Sequence, residues 1–188
     1  PMMHPHQKSN WGMDLGVGAT CIYPLLASKF FHCNMVASEI DTNALALAKA
    51  NVTANRFNHK IQLLEVAPSH SQQPSLPPGG PLERALQAWN QHPHQRLDFV
   101  MTNPPFYDPE SMEHATPRAG DGRARTAMTV SEGSYPGGEG SLVTEMVAGS
   151  LRNPKSSLWF SLLFGDESSL LQLQKLTLHL LGPYHGEM

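Results

Sequence analysis

From Trp11 onward, short apolar runs alternate with longer segments whose apolar positions recur every three to four residues. That alternation marks repeated βα units around a mostly parallel sheet, so the predicted fold class is α/β. Strands are expected at residues 12–15, 35–40, 60–66, 97–102 and 157–164. A first helix should open near Tyr23 and carry Leu25, Leu26 and Ala27. A second follows Asp41, a good helix cap, with Leu45, Leu47, Ala48 and Val52 as its apolar stripe. Residues 82–89 read as a short helix. Leu142, Val143, Met146, Val147 and Leu151 share one face of another, and residues 167–181 predict a last one.

Breaks in this rhythm are as informative as the rhythm itself. Residues 68–81 are too rich in Pro, Ser, Gln and Gly for regular structure and read as a loop or insertion. Residues 108–140 are dominated by Gly, Pro, Ser, Thr and charge, which predicts a long mobile loop of the kind that covers sites. The fourth strand runs straight into Asn103-Pro104-Pro105-Phe106, where two prolines without amide hydrogens end any ladder pairing. No internal repeat is visible, and residues 1–188 are expected to form a single domain.

Composition removes several classes of protein. With two cysteines, Cys21 and Cys33, there is no disulfide framework, and no apolar run approaches the length of a membrane span. A reducing, aqueous compartment fits best. The polar stretch at residues 1–10 has no signal-peptide character, and its abruptness reads as an internal fragment. A net charge of −3 predicts a weak grip on a phosphate backbone, since such affinity rests on Lys and Arg displacing counterions. Arg118, Arg123 and Arg125 are the one local concentration of positive charge; a solvated loop and a phosphate-contacting loop are both open for it.

Candidate chemistry begins at Asp14-Leu15-Gly16-Val17-Gly18-Ala19-Thr20, between the first strand and the first helix. Closely spaced glycines in that context let a ligand approach the backbone. A third glycine at dinucleotide spacing and the Lys-Ser/Thr ending of a P-loop are both missing, which disfavours NAD and ATP. Glu39, at the end of the second strand, is placed to accept hydrogen bonds from ribose hydroxyls. Together they point to an adenosine-containing cofactor at the carboxyl ends of the strands.

Asn103-Pro104-Pro105-Phe106-Tyr107 is the sharpest signal. The exocyclic amine of adenine is a poor nucleophile because its lone pair is delocalised into the ring. Acceptors for its two hydrogens favour the pyramidal, reactive form, and the Asn103 side-chain oxygen and Pro104 carbonyl are suited to that role. Proline restricts its own φ and the residue before it, so these acceptors are held in advance of reaction. Phe106 or Tyr107 offers a face for a flipped base, worth about 1–3 kcal/mol.

These motifs resemble those of the class I methyltransferases that use S-adenosylmethionine (SAM) to methylate adenine N(6) in structured RNA. The group comprises the eukaryotic methyltransferase-like sixteen proteins, acting on U6 spliceosomal RNA, and bacterial methyltransferases of large-subunit ribosomal RNA. The likeness rests on DLGVGATCIYP, SEID, TNPPFY, GGEGSLVTEMVAGSL and SLWFSLLFG. It implies a Rossmann-like fold, SAM as cofactor, structured RNA as partner, and a nuclear or cytoplasmic location. By position it implies that Gly16, Gly18 and Thr20 form the cofactor turn, that Glu39 holds the ribose and that Asn103 serves both cofactor and catalysis. Phe106 and Tyr107 become substrate contacts. A further cofactor contact after the third strand falls on Ser69 or Ser71. The family also has an upstream region with a cofactor-binding arginine and a final hairpin after the fifth strand; both are expected to be missing here.

Other residues invite different readings. His4, His6, His92 and His94 sit in His-Pro-His units typical of exposed loops, so no metal is expected. Cys21 and Cys33 read as small core residues, Trp89 and Trp159 as packing anchors, and Glu132 and Glu139 as solvated loop carboxylates. Two rival functions remain. One is a small-amine methyltransferase on the same scaffold, which the acidic charge favours; the other is an inactive RNA-binding fragment.

Overall fold

In the computed structural model of the chain the described residues are 10–66, 79–89, 96–104, 135 and 138–164, with 167, 170, 171, 173–175 and 178. Strand β1 is Trp11–Leu15 and leads through the glycine turn into α1, Ile22–Phe30. Strand β2, Asn34–Glu39, is followed by α2, Thr42–Ala54, and β3, Ile61–Glu65. Then come α3, Pro81–Ala88, β4, Leu97–Thr102, α4, Gly138–Arg152, and β5, Ser157–Leu162. Asp41 caps α2 as expected, its Oδ1 accepting from the amides of Asn43 (2.8 Å) and Ala44 (3.3 Å).

The sheet runs β3-β2-β1-β4-β5. Pairing is parallel from β3 to β4, with Leu15 opposite Ser38 on one side and Thr102 on the other. The chain builds outward from β1 to β3, then returns to place β4 on the far side of β1. The order therefore reverses between β1 and β4, and ligands of open α/β sheets bind at the carboxyl ends of the strands at such a reversal.

Two compact units divide the chain. The first comprises residues 1–68, 84–102 and 154–161 and contains nearly all of the sheet. Its core gathers Val17, Cys21, Cys33, Met35, Ala37, Ala48, Val52 and Ile61. Both cysteines are buried free thiols, in line with their reading as core residues. Trp89 is buried and packs against Trp11, ring centroids 6.0 Å apart. The second unit comprises residues 69–83, 103–153 and 162–188. There Glu83 accepts from the amides of Gly79 (2.7 Å) and Gly80 (3.2 Å) and pairs with the Arg152 guanidinium at 2.7 Å. These donors hold the Glu83 carboxyl down at about 2, the Arg152 hydrogen bond contributing most.

Several expectations are corrected. Trp159 is 74% exposed: β5 ends the sheet order, and the Trp159 side chain is left uncovered. Leu47 and Leu151 are likewise exposed; the buried stripe of α2 is Ala44, Ala48 and Val52, because period 3.6 carries Leu47 off the face that Ala48 shares with Ala44. The expected loop over residues 108–140 overlaps α4, which begins at Gly138, so Glu139 lies in a helix and is only 5% exposed. The rest of that loop that falls on residues 108–134, most of residues 68–81 and the end of the expected last helix lie outside the described residues.

Gly12 in β1 shows how tightly the centre of the sheet is packed. A Cβ there would stand 2.2 Å from the tip of the Phe99 ring and 2.8 Å from the Met35 sulfur. Gly12→Ala should therefore destabilise the protein by about 1–3 kcal/mol, the usual cost of overpacking a core. Chemical denaturation of the two proteins checks this, and equal midpoints would count against the packing described.

Candidate active site

The turn after β1 is built from left-handed backbone. Gly16 (φ 72) and Gly18 (φ 63) take it without steric cost, and Cys21 (φ 52) adopts it as the residue leading into α1. Neighbouring elements hold the turn almost residue by residue. Thr102 Oγ1 donates to the Leu15 carbonyl at 2.8 Å. The amides of Gly16 and Val17 both donate to the Ser38 carbonyl, at 2.9 and 3.0 Å. The Gly18 amide donates to Glu39 Oε2 at 2.8 Å. Finally, Asn51 Nδ2 of α2 donates to the Ala19 carbonyl at 3.0 Å.

Glu39 closes β2 and is buried. Its Oε1 accepts from the amides of Ile40 (2.8 Å) and Asp41 (3.0 Å), so the carboxylate is oriented by three backbone donors in all. Gly16 and Thr20 are exposed. A Cβ built on Gly16 would meet no atom within 4 Å, so the turn presents bare backbone to open space.

Asp14, part of the glycine motif but given no role by the sequence, is a second buried carboxyl in the same unit. It is 1% exposed, and its Oδ2 has no hydrogen-bond partner among the described residues. Burial first, and then the charge of Glu39, push its pKa up to about 8. Asp14 is therefore protonated at neutral pH in the free protein. A folded pKa raised above the unfolded 3.8 contributes stability at low pH that is lost as pH rises toward 8. Asp14→Asn should remove this dependence. Denaturation at about pH 5 and pH 8.5 tests it: the natural protein should lose more stability across that interval than the variant, and parallel losses would overturn the assignment.

Asn103 follows Thr102 directly at the carboxyl end of β4. Its side-chain oxygen is buried with no hydrogen-bond partner among the described residues, and Pro104 next to it is fully buried. An orphaned buried acceptor is costly unless something else satisfies it. Phe106 and Tyr107 lie outside the described residues, as do Ser69, Ser71, the three clustered arginines and the His-Pro-His units. Among the described residues, no group of three or more His, Cys, Asp or Glu is arranged to hold a metal, and no helix is long and apolar enough to cross a membrane.

A five-stranded parallel α/β sheet, a glycine turn after β1 and a buried carboxylate closing β2 define the Rossmann-like methyltransferase fold. Comparison with known proteins takes this further: the sequence model of a family described as RNA methyltransferase matches residues 3–184, and the chain belongs to that family. It is 32% identical over 172 residues to ribosomal RNA large subunit methyltransferase F of Pseudomonas fluorescens strain Pf0-1, covering 84% of this chain and 46% of that protein. It is 29% identical over 162 residues to the U6 small nuclear RNA (adenine-(43)-N(6))-methyltransferase of Schizosaccharomyces pombe, covering 85% and 37%. The chain thus spans less than half of either relative. Among solved structures, the hMettl16 catalytic domain in complex with a MAT2A 3'UTR hairpin superposes with a TM-score of 0.70 at 27% identity, covering 92% of this chain and 56% of that one. The N-terminal domain of human METTL16 in complex with SAH gives 0.65 at 26%, covering 93% and 53%.

Proposed function

We propose that this chain is the catalytic core of a SAM-dependent methyltransferase acting on the N(6) amine of adenosine in a structured RNA, of the U6 or ribosomal kind. The observation that carries the reading is the buried oxygen of Asn103 immediately after β4, which has no hydrogen-bond partner among the described residues. The fit of the chain to SAM rests on the open backbone at Gly16 and the buried carboxylate of Glu39 at the end of β2. Gly16, Gly18 and Thr20 would line the cofactor, and Glu39 would receive the ribose. Three backbone amides already occupy Glu39, of about four lone-pair directions on a carboxylate. One ribose hydroxyl therefore finds an open site, and the other must share.

When bound, SAM supplies an electrophilic methyl group on a positively charged sulfur. The residues of the chain do the rest. Asn103 Oδ1 and the Pro104 carbonyl accept the two amine hydrogens and hold the nitrogen lone pair out of conjugation, while the face for the base would come from Phe106 or Tyr107. Water takes the proton released, because the amine becomes acidic as it is methylated. The site of action is that of the RNA: nucleus or cytoplasm in a eukaryote, cytoplasm in a bacterium.

The net charge of −3 favours a second reading, methylation of a small free amine. Methyl transfer from SAM to an adenosine-containing RNA hairpin, measured between about 50 and 200 mM salt, separates the two. RNA methylation that falls steeply with salt supports the first reading. Salt-insensitive transfer to a free amine, with none to RNA, supports the second.

A further inference from the structure

Four of the contacts that hold the cofactor turn come from strands flanking β1: Thr102 on β4, and the Ser38 carbonyl (twice) and Glu39 on β2. Another comes from elsewhere. Asn51 lies near the end of α2, 32 positions from Ala19 in sequence, and gives its amide hydrogen to the Ala19 carbonyl. Beyond Ala19 the chain turns left-handed again at Cys21 before α1 begins. Ala19 thus lies between two left-handed residues, Gly18 and Cys21.

Helix α2 is itself tied to the carboxylate at its other end. The Asp41 amide donates to Glu39 Oε1, and the Asp41 side chain caps the helix. One helix therefore links the Glu39 carboxylate to the far side of the glycine turn that the same carboxylate holds through Gly18. Asn51 is exposed and belongs to no buried stripe of α2, so packing does not account for its amide.

We propose that Asn51 is a positioning residue for the cofactor: it fixes the Ala19 carbonyl and so keeps the turn in its binding shape before SAM arrives. The proposal rests on the reading of this turn as the SAM cradle. Preorganisation of this kind raises affinity by removing ordering cost from the binding step.

The test uses two variants that keep the size of the side chain and remove the donor, Asn51→Leu and Asn51→Asp. Calorimetry measures SAM binding, amide hydrogen exchange follows Gly18 in the free protein, and thermal unfolding reports the fold. Both variants should weaken SAM binding about fivefold, the scale of one net hydrogen bond. Gly18 should exchange faster while the amides of β1 and β2 keep their protection. Unchanged SAM affinity in the variants would overturn the proposal. So would a general loss of protection and unfolding temperature, which marks a structural role only. Absence of SAM binding by the natural chain would instead strike the reading of the cradle itself.

Discussion

Replacing Asn103 by alanine is expected to slow single-turnover methylation by roughly 10²–10³-fold, the cost of losing one preorganised polar group aimed at a reacting centre. The side-chain oxygen is buried and has no hydrogen-bond partner among the described residues, so the protein bears its desolvation whether or not substrate is present. An acceptor already stripped of water needs no rearrangement at the moment of reaction. Its strength is therefore available to the transition state, where the amine hydrogens become most acidic. SAM affinity should move by no more than about threefold, because a contact made mainly in the transition state lowers turnover without a matching effect on binding. Rate measurements at saturating SAM, beside calorimetry of both proteins, give the two numbers. Equal losses in rate and affinity would mean that Asn103 serves the cofactor and not the amine.

The second large effect is expected at Glu39. Glu39→Ala removes the acceptor proposed for the ribose and also releases the amides of Gly18, Ile40 and Asp41. Hydrogen bonds to a charged group contribute about 1.5–3 kcal/mol each, so loss of one should weaken SAM binding by roughly 10- to 100-fold, and loss of two by more. Turnover at saturating SAM should change far less, the reverse of the Asn103 pattern. A Glu39→Ala protein that binds SAM as the natural chain does would exclude this carboxylate as the ribose ligand.

The order of strands and helices was readable from the chain because each apolar run is short and each helical stripe is bounded by a cap or a break. Asp41, and the prolines after Asn103, are of that local kind. Misplaced boundaries arose where composition misled. Gly137, Gly138 and Gly140 disguise the start of α4, which made Glu139 look like part of a loop. Exposure of single residues was harder to read. Trp159 and Leu47 are apolar yet uncovered, because period alone does not say which residues of a pattern find a partner.

Near the candidate site, the places of Gly16 and Gly18 in a left-handed turn, of Glu39 at a strand end and of Asn103 beside a buried proline were legible, because glycine turns, strand-end carboxylates and prolines leave local marks. Asp14 and Asn51 left none. The significance of Asp14 depends on total burial beside Glu39, and that of Asn51 on a partner supplied by a different βα unit. No window of sequence contains either relation.

Inheritance should treat the supports of the turn unequally. Ser38 holds two amides through its backbone carbonyl, a service that any residue tolerated at that buried strand position performs equally well. Thr102, Glu39 and Asn51 give theirs through side chains. Drift at codon 38 can therefore pass silently through the turn, whereas the other three codons are answerable to it directly. The most heavily used support of this turn is also the one least exposed to mutation.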